Sequence, residues 1–281
     1  MNKKYDVVII DTGVEKTHFR LASNNIECIK ITIGTAGLII ENLEDGRDDV
    51  GHGTAVCSII VSHCKEVSIL AVKVFDSTLN VDELLIINAL NYIYENIDCR
   101  IINMSLGIPT ASRGLKEICR KLADKGIILI AAFDNDGAIS YPAAFDSVLG
   151  VTSCNYCTRN NEFIIIEDQR VNVGAKGRLQ KIAWKENSIS IGVGDSYACA
   201  HISGISADLL SNKTIKNKEQ LMCELKAMSG EVTNNKIDGS DICKVIVRNY
   251  CNVALFPFNK EMHALVRFSD MLPFKLWEFM I

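Results

Sequence analysis

A chain of 281 residues with 48% apolar and 23% charged residues has the composition of a globular protein, not of a disordered tail. Its net charge of −4, with no Lys/Arg stripe carrying interleaved aromatics, gives no electrostatic case for nucleic acid. No apolar run approaches the roughly 18–20 residues of a membrane span, and the N-terminal "YDVVII" is too short for a secretory signal core, so the expected location is the cytoplasm.

In chain order, "YDVVIID" is a strand rich in β-branched residues that ends at Asp11. "CIKITIG" reads as a second strand, "GRDDVGHGTAVCSIIVSHC" as a polar lead into a helix from about His52, and "SILAVKVF" as a strand. "NVDELLIINALNYIYENI" is an amphipathic helix with Val81, Leu84, Leu85, Ile87, Ala89, Leu90, Ile93 and Ile97 as its apolar positions. "CRIINMSLG" is a strand, "SRGLKEICRKLADKG" a helix with a glycine stop, and "IILIAAF" and "SVLGVTSC" are strands. "SYACAHISGISADLLS" is a helix of small residues, suited to close packing at the centre of a fold. Strands alternating with helices predict a parallel sheet covered on both faces, with ligands at the carboxyl ends of its strands. Asp11, Ser105 and Asn135 all fall at such ends.

The composition shifts at "SGEVTNNKIDGSD", residues 229–241. This predicts a domain over 1–228 and a C-terminal extension over 229–281, whose apolar end packs into a core, meets a partner or leads into a further domain. Eleven cysteines are scattered and odd in number, with Cys28, Cys57, Cys119 and Cys199 in apolar surroundings, so buried reduced thiols are expected. Cys154 and Cys157 in "CNYC" have metal or redox spacing, but no second pair of that spacing follows, and a structural reading is preferred.

Three segments together supply a chemistry. "VVIIDTG" places a carboxylate, Asp11, at a strand end; "GHGTAV" places an imidazole, His52, at a helix start; "GDSYA" places a hydroxyl, Ser196, at another helix start. A serine nucleophile needs a base, and the base needs a carboxylate to fix its tautomer. Glycines flanking His52 and preceding Ser196 permit close backbone approach. Each residue alone has a plain structural reading as a strand-end turn or helix cap; the ordered set does not.

The order Asp…His…Ser with these flanks resembles the subtilisin-like serine proteases, or subtilases, over roughly residues 5–228. That resemblance implies a three-layer α/β fold with a mainly parallel central sheet and helices on both faces. It implies Asp11, His52 and Ser196 as a catalytic triad and Asn135 of "AAFDNDG" as the oxyanion-hole amide. It also implies that Ser105, Leu106 and Gly107 pair with substrate as an added strand, while Ala132, Phe133 and Asp134 line the pocket for the residue before the scissile bond.

Asp195 and Tyr197 depart from the family's Thr and Met around the nucleophile; a carboxylate there raises the pKa of His52, binds a cationic substrate group, or marks a degenerate site. Phe133 and Asp134 replace the family's Ala-Gly, which predicts preference for Lys or Arg before the cut, against a plain reading in which Asp134 faces solvent. The segment after His52 is too short for the calcium loop of secreted relatives, so no metal and no cofactor are expected. The chain starts almost at its first core strand, so no inhibitory prodomain is expected ahead of it. Small subtilases of this form resemble maturation proteases that remove leader or pro-segments from peptide precursors. The expected function is a serine endopeptidase with a peptide or protein substrate; the alternative is an inactive subtilase fold that binds peptides along the Ser105–Gly107 edge.

Overall fold

The computed structural model describes residues 4–77, 81–135, 139–166 and 171–229. The proposed extension beyond Ser229 lies outside them. The described strands are β1 (Lys4–Asp11), β2 (Asn25–Gly34), β3 (Gly37–Asn42), β4 (Ser68–Lys73), β5 (Asp98–Met104), β6 (Ile128–Ala132), β7 (Val148–Ser153), β8 (Phe163–Ile165), β9 (Val173–Ala175), β10 (Gln180–Trp184) and β11 (Ser188–Gly192). The helices are α1 (His52–His63), α2 (Glu83–Asn96), α3 (Arg113–Asp124), α4 (Asp195–Asn212) and α5 (Lys218–Met228).

Among the described residues, nine strands form one sheet in the order β3-β2-β4-β1-β5-β6-β7-β9-β8. Every pairing from β2 across to β9 is parallel; the outermost β3 and β8 are antiparallel to their neighbours. In β1, Val7 pairs with Ile69 of β4 on one side and Ile101 of β5 on the other. Side chains alternate across the sheet. Val7 and Ile9 enter the core built with α1, α4 and α5, while Val8 and Ile10 enter the core built with α2 and α3. That double burial is why these strands are continuous apolar runs rather than alternating ones.

The helices obey their local sequence. Asp82 caps α2 by accepting from the Leu84 N–H, and Ser112 caps α3 by accepting from Leu115 N–H at 3.1 Å. The small residues of α4 let it run through the centre, buried along nearly its whole length, against α1.

The mainly parallel α/β architecture is as expected, with five strands added. The β2–β3 turn extends the sheet at one edge. β8 and β9 are three residues each and have no room to show a period. The β10–β11 hairpin turns through Glu186 and Asn187, both at positive φ (59° and 54°), without the glycine that marks such turns. The Glu15 carboxylate instead holds it, accepting from the N–H groups of Glu186 and Asn187.

Candidate active site

Four adjacent strands, β1, β5, β6 and β7, end on one side of the sheet and deliver polar residues there. Asp11 is the last residue of β1 and is 2% exposed. Its carboxylate faces Nδ1 of His52, with Oδ1 at 2.8 Å and Oδ2 at 3.0 Å. An imidazole whose Nδ1–H is given to a carboxylate presents Nε2 as its base. Gly53 makes that approach possible: a Cβ there would lie 2.0 Å from the Gly13 carbonyl oxygen and 3.1 Å from the Asp11 Cβ.

The N-terminus of α1 is organised by Asp48, buried four residues before His52. Oδ1 accepts from Thr12 Oγ1 (2.7 Å), Val50 N–H (3.1 Å) and Gly51 N–H (2.7 Å). Oδ2 accepts from Thr54 N–H (2.8 Å) and Thr54 Oγ1 (2.6 Å). Thr12 Oγ1 accepts in turn from Gly53 N–H at 2.9 Å. One carboxylate thus ties the residue after Asp11 to the turn that carries His52 and satisfies helix donors that Gly51, as N-cap, has no side chain to meet. Lys73, at the end of β4 and 2% exposed, donates to the Thr12 carbonyl at 2.6 Å and lies 3.2 Å from Asp49. Sequence reasoning missed Asp48 and Lys73 as positioning residues. The signals were present: a carboxylate just ahead of a helix start, and a lysine ending an otherwise apolar strand.

Ser196 is the second residue of α4 and is half-buried. Its hydroxyl donates to the Ser105 carbonyl at 3.1 Å, and Ser105 Oγ is 3.1 Å from the Ser196 carbonyl. The Tyr197 ring, one residue on, lies 5.9 Å from the His52 ring. Through Tyr197 the start of α4, which carries the Ser196 hydroxyl, is thus brought to the same end of the sheet as the His52 imidazole and the Asp11 carboxylate.

Asn135 follows β6. Its Oδ1 accepts from the Asp195 N–H at 2.8 Å. With its oxygen engaged in this way, the carboxamide's NH₂ is its remaining face, set beside the start of α4. Gly194 leaves room for it: φ there is 151°, and a Cβ would stand 2.9 Å from Asn135 Oδ1.

Asp195 does not face His52. Its carboxylate turns back to β7 and accepts from Ser153 N–H at 2.8 Å and from Thr152 Oγ1 at 3.1 Å. Burial pushes its pKa up to about 6, opposed by the hydrogen bonds from Ser153 and Thr152, and the nearby Asp134 charge pushes the same way as burial. Of the three readings open for Asp195, its carboxylate contacts match neither a charge facing His52 nor one facing a substrate cation; it anchors the start of α4 to β7.

Of the other expected positions, Ser105 and Leu106 are buried just beyond β5 and Gly107 is exposed. Ala132 and Phe133 are buried in opposite cores. Asp134 is exposed. His63 and His201, unassigned in the sequence, form a pair at 2.8 Å on α1 and α4, His63 half-buried and His201 buried, with His201 Nε2 3.0 Å from Gln180 Oε1.

A mainly parallel sheet carrying this polar edge is the architecture of subtilisin-like proteases. The Subtilase family model matches residues 2–238, and the chain belongs to that family. It is 28% identical over 255 residues to Subtilisin NAT of Bacillus subtilis subsp. natto, covering 85% of this chain and 64% of that protein. It is also 28% identical over 269 residues to the Major intracellular serine protease of Bacillus subtilis (strain 168), covering 88% and 80%. The fold is similar to that of a solved structure titled S41 Psychrophilic Protease, with TM-score 0.66, 22% identity and coverage of 80% and 84%. The chain spans about two thirds or less of Subtilisin NAT and Subtilisin E, 64% of each.

Proposed function

We propose that the chain is a serine endopeptidase in which Ser196 is the nucleophile, His52 the general base and then acid, and Asp11 the group that orients His52. The observation that carries this reading is the Asp11–His52 pair, held at 2.8 Å in a chain of the subtilase family. In that reaction Ser196 Oγ attacks a peptide carbonyl while His52 Nε2 takes its proton. The tetrahedral oxyanion is held by the Ser196 N–H and the Asn135 NH₂, which the Asp195 N–H orients. His52 then returns the proton to the leaving amine, and water repeats the sequence to free the enzyme.

The substrate presents an extended peptide to the Ser105–Gly107 edge and places a Lys or Arg toward Asp134. What supports the basic preference is the exposed carboxylate of Asp134, immediately after the buried Phe133 and before Asn135. Such selectivity suits a single cut between a leader or pro-segment and its peptide precursor. A cytoplasmic setting is supported by the free cysteines among the described residues and by the name of the Major intracellular serine protease relative. Residues 1–228 form the catalytic unit, and the extension over 229–281 contacts a partner or further domain; unchanged folding and activity after truncation at Ser229 would argue against that last point.

Cleavage-site mapping on a peptide library tests the function. Internal cuts after Lys and Arg are expected, with the basic preference lost in Asp134→Ala. Cuts after large apolar residues that persist unchanged in Asp134→Ala would remove Asp134 from specificity.

A further inference from the structure

Cys154 and Cys157 stand apart from the other described cysteines. They lie immediately beyond β7, in a small apolar cluster with Ile164. The Cys157 N–H donates to the Cys154 carbonyl at 3.1 Å, which closes a turn between them. Such a turn keeps its first and fourth Cα atoms within about 7 Å, and a disulfide spans about 4.4–6.8 Å between Cα atoms. Both thiols are buried in that cluster, and the Cys157 thiol donates to the Gly174 carbonyl at 3.7 Å. The turn reaches the surface, since Tyr156 between them is 51% exposed and Thr158 and Arg159 beyond it are also exposed.

Their chemistry differs too. The neighbouring Cys157 thiol brings Cys154 down, against burial and with help from backbone hydrogen bonds at Tyr156 and Cys157. The neighbouring Cys154 and burial push Cys157 up. Burial raises Cys28, Cys57, Cys99, Cys119 and Cys199. A thiolate beside a protonated second thiol is the arrangement of an attacking and a resolving cysteine.

We propose that Cys154 and Cys157 form a reversible thiol–disulfide site that reacts with low-molecular-weight disulfides, and that its closure is transmitted through Ser153 and Asp195 to the nucleophile helix. The Cys154 thiolate attacks one sulfur of the small disulfide, forming a mixed disulfide and releasing one thiolate. Cys157 gives up its proton, and its sulfur attacks the Cys154 sulfur, releasing the second thiolate. The dithiol is oxidised by two electrons and the small disulfide is reduced to two thiols. Closure draws the sulfurs to about 2.05 Å in a turn that begins one residue after Ser153. The Ser153 N–H holds the Asp195 carboxylate at 2.8 Å, and Asp195 neighbours Ser196 and orients Asn135. This transmission rests on the proposed role of Ser196; the redox site itself does not.

The test has two readouts on the full chain. In the Ser196→Ala protein, which cannot digest itself, incubation with oxidised glutathione should remove two hydrogen masses and yield a Cys154–Cys157 link on peptide mapping. Cys157→Ser in the same background should instead retain a glutathione adduct at Cys154. Free Cys154 and Cys157 under conditions that modify the exposed Cys223, or no adduct in Cys157→Ser, would overturn the site. In the active protein, oxidation should lower kcat by about tenfold, equal to about 1.4 kcal/mol, reversibly on reduction and not in the Cys154→Ser/Cys157→Ser variant. A link that forms with kcat unchanged would overturn the transmission. Because the mass readout needs no proteolysis, failure of the proposed function is told apart from failure of the site.

Discussion

Asp48→Asn is isosteric and removes only a charge and an acceptor. The wild-type carboxylate takes three hydrogen bonds on Oδ1 and two on Oδ2. A carboxamide has one oxygen. In its better orientation that oxygen keeps Thr12, Val50 and Gly51, and the NH₂ is set against Thr54. The Thr54 hydroxyl can turn and accept from it on its second lone pair, beside the bond it already takes from Glu15 N–H at 3.0 Å, but Thr54 N–H is left facing another donor. A buried unsatisfied donor costs about 1–3 kcal/mol, and loss of charge assistance on the remaining bonds brings the expected destabilisation to about 2–4 kcal/mol. His52 sits on the turn these bonds hold, so kcat/KM should fall by about 10- to 100-fold under conditions where both proteins are folded. Urea unfolding followed by circular dichroism gives the first quantity and a peptide assay the second. A change in unfolding free energy below about 1 kcal/mol, or a full loss of stability with kcat/KM intact, would refute Asp48 as the residue that positions His52.

Three further outcomes follow from the same geometry. Asn135→Ala should lower kcat by about 10²–10³, the measured scale for removing such a donor in a subtilisin and not a figure worked from this structure, with little change in KM; an unchanged kcat would move the oxyanion elsewhere. Asp195 has a folded pKa of about 6, above the 3.8 of the free group. The unfolding free energy of Asp195→Asn relative to wild type should therefore rise as pH rises from about 4 to 6, and level off above; a flat difference across that window would contradict the buried carboxylate. Burial lowers His63 to about 4, and burial with the neighbouring His63 lowers His201 to about 3. Both stay neutral where the unfolded chain protonates, so in Asp195→Asn, where the opposing carboxylate is gone, stability should be full above pH ~6.5 and decline toward pH ~4. A profile flat from pH ~7 to ~4 would contradict the neutral pair.

The central strands and helices were legible because each carries its whole signal locally. The run "YDVVIID" is apolar on both faces, and α2 shows a helical period over four turns with an Asp cap. The motif residues were legible for the same reason, since Asp11, His52 and Ser196 end a strand or open a helix. What stayed hidden depends on partners distant in sequence. β9 exists because Val151 and Val173 pair, and the hairpin turn at Glu186 holds because Glu15 reaches it from far away in the chain. Asp195 was the clearest reversal. Its place beside the nucleophile suggests a substrate-facing charge, but only the fold shows that the Ser153 N–H and Thr152 hydroxyl turn it inward.

The central claim is that Ser196 is a nucleophile activated by His52 and Asp11, and labelling with a fluorophosphonate probe tests it most directly. One adduct should form, mapped to Ser196, and it should disappear in Ser196→Ala and fall sharply in His52→Ala. A folded protein with no labelling and no peptide turnover, or an adduct on another serine, would contradict it.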